Sequence, residues 1–268
     1  MKTPNDIRVT SWTELIEQLY DGSWNDHLQR YRSNFAFRGL SSDNLELKTS
    51  LMRLEGNYYD LEFHILRNFK KYARIQHPSP DTDWSWLAIA KHHGLPTRLL
   101  DWTFSPFVAM HFATSNISEY GADGVIWCVD FVKLHNNFLP EILENKLKEK
   151  RALCFTVEML SEVAETLEVF DGLTEDHGAD FALFFEPPSM NDRIVNQFAL
   201  HSVISNPKMT LNDLLDKHPE LYRRIIIPSS LKWEVRDKLD QANINERVLF
   251  PGLDGLSKWL TRHYTPKQ

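Results

Sequence analysis

The sequence predicts a single α+β domain. Short apolar strands and amphipathic helices follow one another in irregular order along all 268 residues. No linker or internal repeat divides them, and hydrophobic residues at 42% with aromatics at 12% supply material for a substantial core.

The elements can be taken in turn. Ser11 and Glu14 stand in capping-box spacing before Leu15, Ile16 and Leu19, so the lead-in over residues 1–33 is expected to be helical. Phe35-Ala36-Phe37-Arg38-Gly39 reads as a strand ending in a glycine turn. Period-two alternation puts Phe35 and Phe37 on one face and Arg38 on the other. Helices are expected from about Tyr58 to Ile75, broken at His77-Pro78-Ser79-Pro80, and from about Trp84 to His93, stopped by Gly94. Leu95 to Trp102 is expected to be extended, with Pro96 biasing its predecessor. Ser105-Pro106 opens another helix in the preferred N-cap and first-turn positions.

Gly124 to Phe131 is a strand, and Pro140 to Leu167 is expected to be helical, within an insertion spanning about 135–180. Further strands are expected at Phe181 to Glu186, Ile194 to Ser205 and Tyr222 to Pro228. Short helices are expected at Leu211 to His218, Ser230 to Gln241 and from Leu256.

The net charge of −7 gives no general basis for counterion-driven binding to nucleic acid or anionic membrane. Arg30, Arg32 and Arg38 are close in sequence and form either a local basic groove or a solvated face. Cys128 and Cys154 lie in apolar contexts without metal-ligand spacing. No apolar run approaches the ~18 residues of a membrane span. Met1 to Asp6 is too polar for a signal peptide, so a cytoplasmic location is expected.

Candidate chemistry concentrates between Lys91 and Pro106. This stretch holds His92, His93, Arg98, Asp101, Thr103 and Ser105 between a helix end and a helix start. The helix opening at Ser105 is either an ordinary N-cap or an anion site for a phosphate. Arg38 either holds a phosphate bidentately or pairs with a carboxylate such as Asp101. Adjacent His92 and His93 point about 100° apart on a helix, so they do not share one ion with His111, and no metal is expected. There is no nucleophile elbow, and neither Cys sits in a basic setting. Gln197, polar within an apolar strand pattern, is either a core hydrogen-bond anchor or a reader of a ligand hydroxyl.

These motifs together resemble the FRG-domain family. The carriers are Phe37-Arg38-Gly39, the following helix with its early Glu62, and the run from His92 through Pro106. The Ala109 to Ala113 helix, Arg193 to Gln197, and Phe250 to Leu256 complete the series. The motif order is similar to the plan of ADP-ribosyltransferases, and family members resemble toxins of bacterial toxin–antitoxin and phage-defence systems. The resemblance implies a mixed, split β-sheet core surrounded by helices, in one FRG-type domain over 1–268. It implies transfer of ADP-ribose from NAD, as co-substrate, to RNA, DNA or protein, with a neutralising antitoxin protein as a further partner.

On that plan Arg38, Asp101, Thr103 and Gln197 would be catalytic. Phe37, Gly39, His93, Arg98, Trp102 and Ser105 would bind the dinucleotide. The sequence departs from the plan at Gln197, where those enzymes carry a late-strand Glu, and the nearest acid is Asp192. Asp101 is then the expected carrier of negative charge near the reacting sugar. The alternatives are a non-catalytic nucleotide-sensing module and a metal-dependent hydrolase or nuclease using the His/Asp cluster.

Overall fold

A computed structural model describes residues 4–74 and 82–267. The break expected at His77 to Pro80 lies outside the described residues. The chain opens with β1 (Asp6–Arg8), α1 (Trp12–Tyr20), a two-stranded ribbon of β2 (Trp24–Asn25) and β3 (Arg30–Tyr31), and β4 (Phe35–Leu40). Then come α2 (Tyr58–Ala73), α3 (Asp83–His92), β5 (Leu100–Thr103), α4 (Pro106–Thr114) and β6 (Gly124–Asp130). The middle holds α5 (Phe131–Phe138), α6 (Glu141–Lys150), β7 (Phe155–Thr156), α7 (Val157–Val163) and α8 (Leu167–His177). The last third runs β8 (Ala182–Glu186), α9 (Asp192–Asn196), β9 (Ala199–Ile204), α10 (Leu211–Leu215) and β10 (Tyr222–Ile227). It ends with α11 (Lys232–Gln241), α12 (Glu246–Leu249) and α13 (Leu253–His263).

The fold is α+β, with helices around one large mixed sheet in the order β1-β10-β6-β4-β5-β9-β8-β7. The outer pairs β1–β10 and β7–β8 are parallel, and the inner pairs are antiparallel. The sheet is continuous rather than divided in two, yet it thins at one place. Strand β4 makes six residue pairs with β6, from Phe35↔Asp130 to Leu40↔Val125, but only Phe37↔Thr103 with β5.

Local chemistry explains most elements. Ser11 caps α1 through its bond from Glu14 N, while Glu14 Oε2 accepts from Thr10 N and Thr10 Oγ1 at 2.7 Å. The predicted capping box is therefore displaced by one residue on its return leg. Gly94 adopts φ +83°, the left-handed turn that ends the chain's path out of α3. Strand β6, apolar on both faces, is buried for all but its last residue, as a central strand must be.

Two peripheral segments depart from the expectation. The lead-in is not only helical, because β1 forms one edge of the sheet beside β10. The region expected to be helical from Pro140 to Leu167 is interrupted by β7, which forms the other edge beside β8. Strands of two or three residues are too short to show alternation, so neither could be read from periodicity.

Three apolar clusters fill the interior. One, including Ala36, Leu40, Leu100, Trp102, Trp127 and Leu200, joins both halves of the sheet. A second gathers Trp84, Leu99, Phe170, Phe185 and Val203 with α3, α7 and α8. A third gathers Phe37, Ala109, Met110, Ile126 and Val235 with α1, α4 and α11. Helix α4 lies very close to β4. A Cβ on Gly39 would fall 1.9 Å from the Ala109 carbonyl oxygen and 2.6 Å from Ala113 N.

Both obstacles are backbone, so no side chain can yield. Gly39→Ala should destabilise the protein by about 3 kcal/mol through overpacking. Thermal unfolding would show a large drop in Tm; an unchanged midpoint would mean that α4 shifts freely on the sheet.

Candidate functional site

A cavity of about 370 Å³ opens at the thin place in the sheet. Its walls come from β4 (Arg38), α3 (Lys91, His92), β5 (Asp101) and α4 (Phe112). Arg193 of α9 and His201 of β9 complete them. Where β4 and β5 part, the Arg38 guanidinium donates to the main-chain carbonyl of Asp101. A side chain thus bridges the strands just past the one pair that joins them. Burial lowers the Arg38 pKa, opposed by the charge of Asp101.

Asp101 is the carboxylate of this cleft and keeps 58% of its side chain exposed. Lys91 Nζ lies 2.9 Å from Asp101 Oδ2, and His201 Nδ1 lies 3.5 Å from Asp101 Oδ1. Surrounding protein opposes ionisation, but Lys91, His201 and Arg38 together hold the carboxyl below its ordinary range. It is charged at neutral pH. His201 is brought opposite Asp101 by the β5–β9 register. Burial pushes its imidazole down to about 4, despite the opposing pull of Asp101, so it is neutral at pH 7. His92 is also lowered, by burial and by the charges of Arg193 and His93. Its Nε2 lies 2.7 Å from Asn191 Nδ2; the amide can only donate, so Nε2 accepts and the ring proton sits on Nδ1.

The predicted site residues divide into three groups. Arg38, Asp101, Thr103 and Gln197 all border the cleft, with Phe37, Gly39 and Trp102. Several of these serve the frame. The Phe37 ring is buried in the third apolar cluster, and Trp102 Nε1 donates to Ser202 Oγ at 2.8 Å. Thr103 Oγ1 donates to the Gln197 carbonyl at 2.7 Å and accepts from Ser105 N at 3.0 Å, which ties the end of β5 to the α9–β9 turn.

Gln197 is not on a strand. The expected strand from Ile194 to Ser205 begins only at Ala199, and the preceding residues form α9, with Gln197 as its C-cap. Asn191 starts that helix by capping Ile194 N, a signal that outweighs the apolar alternation. The Gln197 amide donates to the Leu249 carbonyl at 2.9 Å.

Three residues stand apart from the cleft. Arg98 is 4% exposed; its Nε donates to Glu62 Oε2 at 2.6 Å and its Nη1 to Asp171 Oδ1 at 2.5 Å. It is a buried structural cation rather than a dinucleotide ligand. Ser105 caps α4 by accepting from Val108 N at 3.4 Å and does not line the cavity. Helix α4 meets the cavity through Phe112, in its later turns, so its positive end is not available to a phosphate there. His93 is the exposed C-cap of α3, while its neighbour His92 faces the cleft.

Lys91, His92 and Arg193, which lie within the motifs read in the sequence but carry no assigned role there, also line the cavity, as does His201, which the sequence does not single out. His201 left a signal, a titratable residue inside the apolar run Ala199 to Ile204. Lys91 opens the candidate run and sits in the last turn of α3, without a signal of its own beyond that. His111, weighed as a metal ligand, lies in another part of the core. Its Nδ1 accepts from Arg236 at 2.8 Å, and burial with that charge pushes it to about 3. Among the described residues no group of three or more His, Cys, Asp or Glu is placed to hold a metal ion. No described helix is long and apolar enough to cross a membrane.

Residues 33–121 match the model of the FRG domain, and the chain carries an FRG domain over that third of its length. The match spans β4, α2, α3, β5 and α4, which supply Arg38, Lys91, His92, Asp101 and Phe112 to the cleft. Arg193 and His201 come from beyond it. No curated protein and no solved structure matches the chain.

The Glu62–Arg98–Asp171 cluster yields a prediction about the frame. Glu62 is 2% exposed, and it also accepts from Arg98 N at 3.2 Å. Glu62→Ala leaves the guanidinium buried with one partner and should cost ~3–5 kcal/mol. Denaturant unfolding would test this, and a loss below ~1 kcal/mol would assign the pair the weight of a surface bridge.

Proposed function

We propose that the chain is an NAD-dependent ADP-ribosyltransferase of the FRG-domain class, acting on a macromolecular acceptor, protein or nucleic acid. The observation that carries this reading is the placement of Arg38 and Asp101 on opposite sides of the sheet's one-pair junction, facing a common cleft.

The chemistry suits the groups present. A dinucleotide brings a pyrophosphate, and Arg38, Lys91 and Arg193 are three cations around the cavity. Arg193 lies over the Phe250 ring at 5.0 Å, which steadies a long side chain at the rim. Breaking the bond between nicotinamide and ribose develops positive charge on the sugar. Asp101, ionised and accessible, is the group that can face that charge. A cavity of this size holds part of a dinucleotide, with the remainder along the open mouth. A bacterial toxin or defence role, with a protein antitoxin as partner, belongs to the same proposal and rests on the family resemblance alone.

One observation favours a second reading, in which the cleft binds a nucleotide without cleaving it. Among the described residues that line the cavity Asp101 is the one acid, and it is already paired with Lys91. Nicotinamide release separates the two readings. The protein is incubated with NAD and a cell extract of protein and RNA. Free nicotinamide, with an intact-mass gain of one ADP-ribose on an acceptor, is the expected result. NAD-induced stabilisation without release would support the binding module.

Arg38→Ala should abolish nicotinamide release while leaving a cooperative thermal transition, because its partner is one carbonyl at a solvent-facing cleft. Loss of the transition would make Arg38 structural. Asp101→Asn should cut turnover by ~100-fold or more with smaller change in NAD affinity, since charge is removed where the transition state needs it. Equal turnover in that variant would remove Asp101 from the chemistry.

A further inference from the structure

We propose that His201 is the general base of this site, taking the proton from the acceptor as it joins the ribose. The inference rests on the transferase reading above and adds to it the residue that activates the acceptor.

The geometry sets a histidine beside a carboxylate at the wall of the cleft. His201 lines the cleft, and its side chain is only 8% exposed. Its Nδ1 is buried 3.5 Å from Asp101 Oδ1 without a hydrogen bond of its own, and the Leu100 carbonyl is a further polar neighbour of the ring. Lys91 approaches the other carboxylate oxygen, so Asp101 stays ionised between the two. The pleat holds the pair together, because Asp101 and His201 are direct partners in the β5–β9 ladder. Behind it, the Phe185 ring packs at 5.6 Å from the imidazole and restricts its motion. His201 is neutral at working pH and so able to accept a proton, and the neighbouring Asp101 charge favours the protonated form it takes in the step, against the burial that lowers it.

The step balances. The bond between ribose C1′ and the nicotinamide nitrogen breaks, and its electron pair leaves with neutral nicotinamide. The acceptor's O–H or N–H adds to C1′ through its lone pair. Its proton passes to the His201 imidazole, and the resulting imidazolium is stabilised by Asp101. Release of that proton to water restores the site. In this arrangement Asp101 serves twice, against the developing sugar cation and then against the imidazolium. The amide of Gln197, committed to Leu249, need supply neither charge nor base.

The test uses NAD with water as the acceptor, and then NAD with the protein and RNA extract. NAD binding is read as a shift in melting temperature, and kcat and KM from nicotinamide release. His201→Asn should keep the NAD-induced shift and the KM but lose ~10²–10⁴-fold in kcat. His201→Ala should regain part of the rate with added imidazole. In the wild type, activity should hold from neutral pH into the acid range and fall only as pH drops through about 4. There the imidazole, lowered by burial, Lys91 and His92 and raised by Asp101 and the Leu100 carbonyl, becomes protonated.

If His201→Asn turns over like the wild type, the base is elsewhere and this proposal alone fails. If both variants lose the thermal transition, or if imidazole restores nothing, His201 is structural and the proposal is overturned. If the wild type binds NAD or not but never releases nicotinamide, the transferase reading fails and takes the base with it.

Discussion

The sheet holds together at its middle through one residue pair, Phe37 with Thr103. On one side β4 is knitted to β6 over its full length, and on the other β5 is paired with β9 at four positions. The two half-sheets are thus firm in themselves and joined at a point, with one shared apolar face beneath them. Backbone polar groups beyond such a junction lose ladder partners and must find others. Arg38 answers that need for the Asp101 carbonyl, with a side chain long enough to cross the gap. The cleft is what remains around that crossing. Its existence follows from the divergence of two strands rather than from a separate pocket-forming element.

The Phe37-Arg38-Gly39 triplet can then be understood one residue at a time. Phe37 sends its ring into the core under α4, and its backbone makes the joining pair. Arg38, next along, meets the gap. Gly39 gives way to the α4 backbone, which a Cβ would strike at 1.9 Å. On the far side of the gap the approach to β5 is pinned by Arg98, held between Glu62 of α2 and Asp171 of α8. A buried charge with two carboxylate partners tolerates little displacement. The loop before β5 is therefore fixed, and Asp101 with it. Residues that looked like ligand contacts in sequence act here by positioning the one that faces the cleft.

Much of this was legible beforehand. The strand at Phe35, the Ser105-Pro106 helix start and the Gly94 stop rest on local chemistry, which sequence records directly. The roles of Arg98 and Ser105 did not come through, because an Arg or Ser in a loop looks the same whether its partner is a phosphate or a buried carboxylate. Only the distant Glu62 and Asp171 decide the matter for Arg98. Gln197 was misplaced because Ile194, Val195 and Phe198 imitate an alternating strand, whereas the Asn191 cap makes the first part a helical turn. Val195 and Phe198 are in fact exposed, and Phe198 takes φ +47° where the chain turns from α9 into β9. His201 required knowledge of register: its pairing with Asp101 lies a hundred residues away in sequence.

The same register bears on the proposed reaction, given that position 197 holds a Gln and not an acid. In the proposed reaction a carboxylate has two uses, facing a sugar cation and assisting removal of the acceptor's proton. A Glu at the end of a late strand could combine them. In this cleft the carboxylate sits on β5, and β9 sets His201 beside it across the ladder. On the proposed reading the negative charge and the proton acceptor lie on adjacent strands, on two separate side chains. Lys91 sets the balance between them. By holding Asp101 ionised it keeps the negative charge available, and its own positive charge helps keep His201 neutral. Removing the Lys91 charge would move both groups toward protonation, so the cation acts on the carboxylate and the base at once.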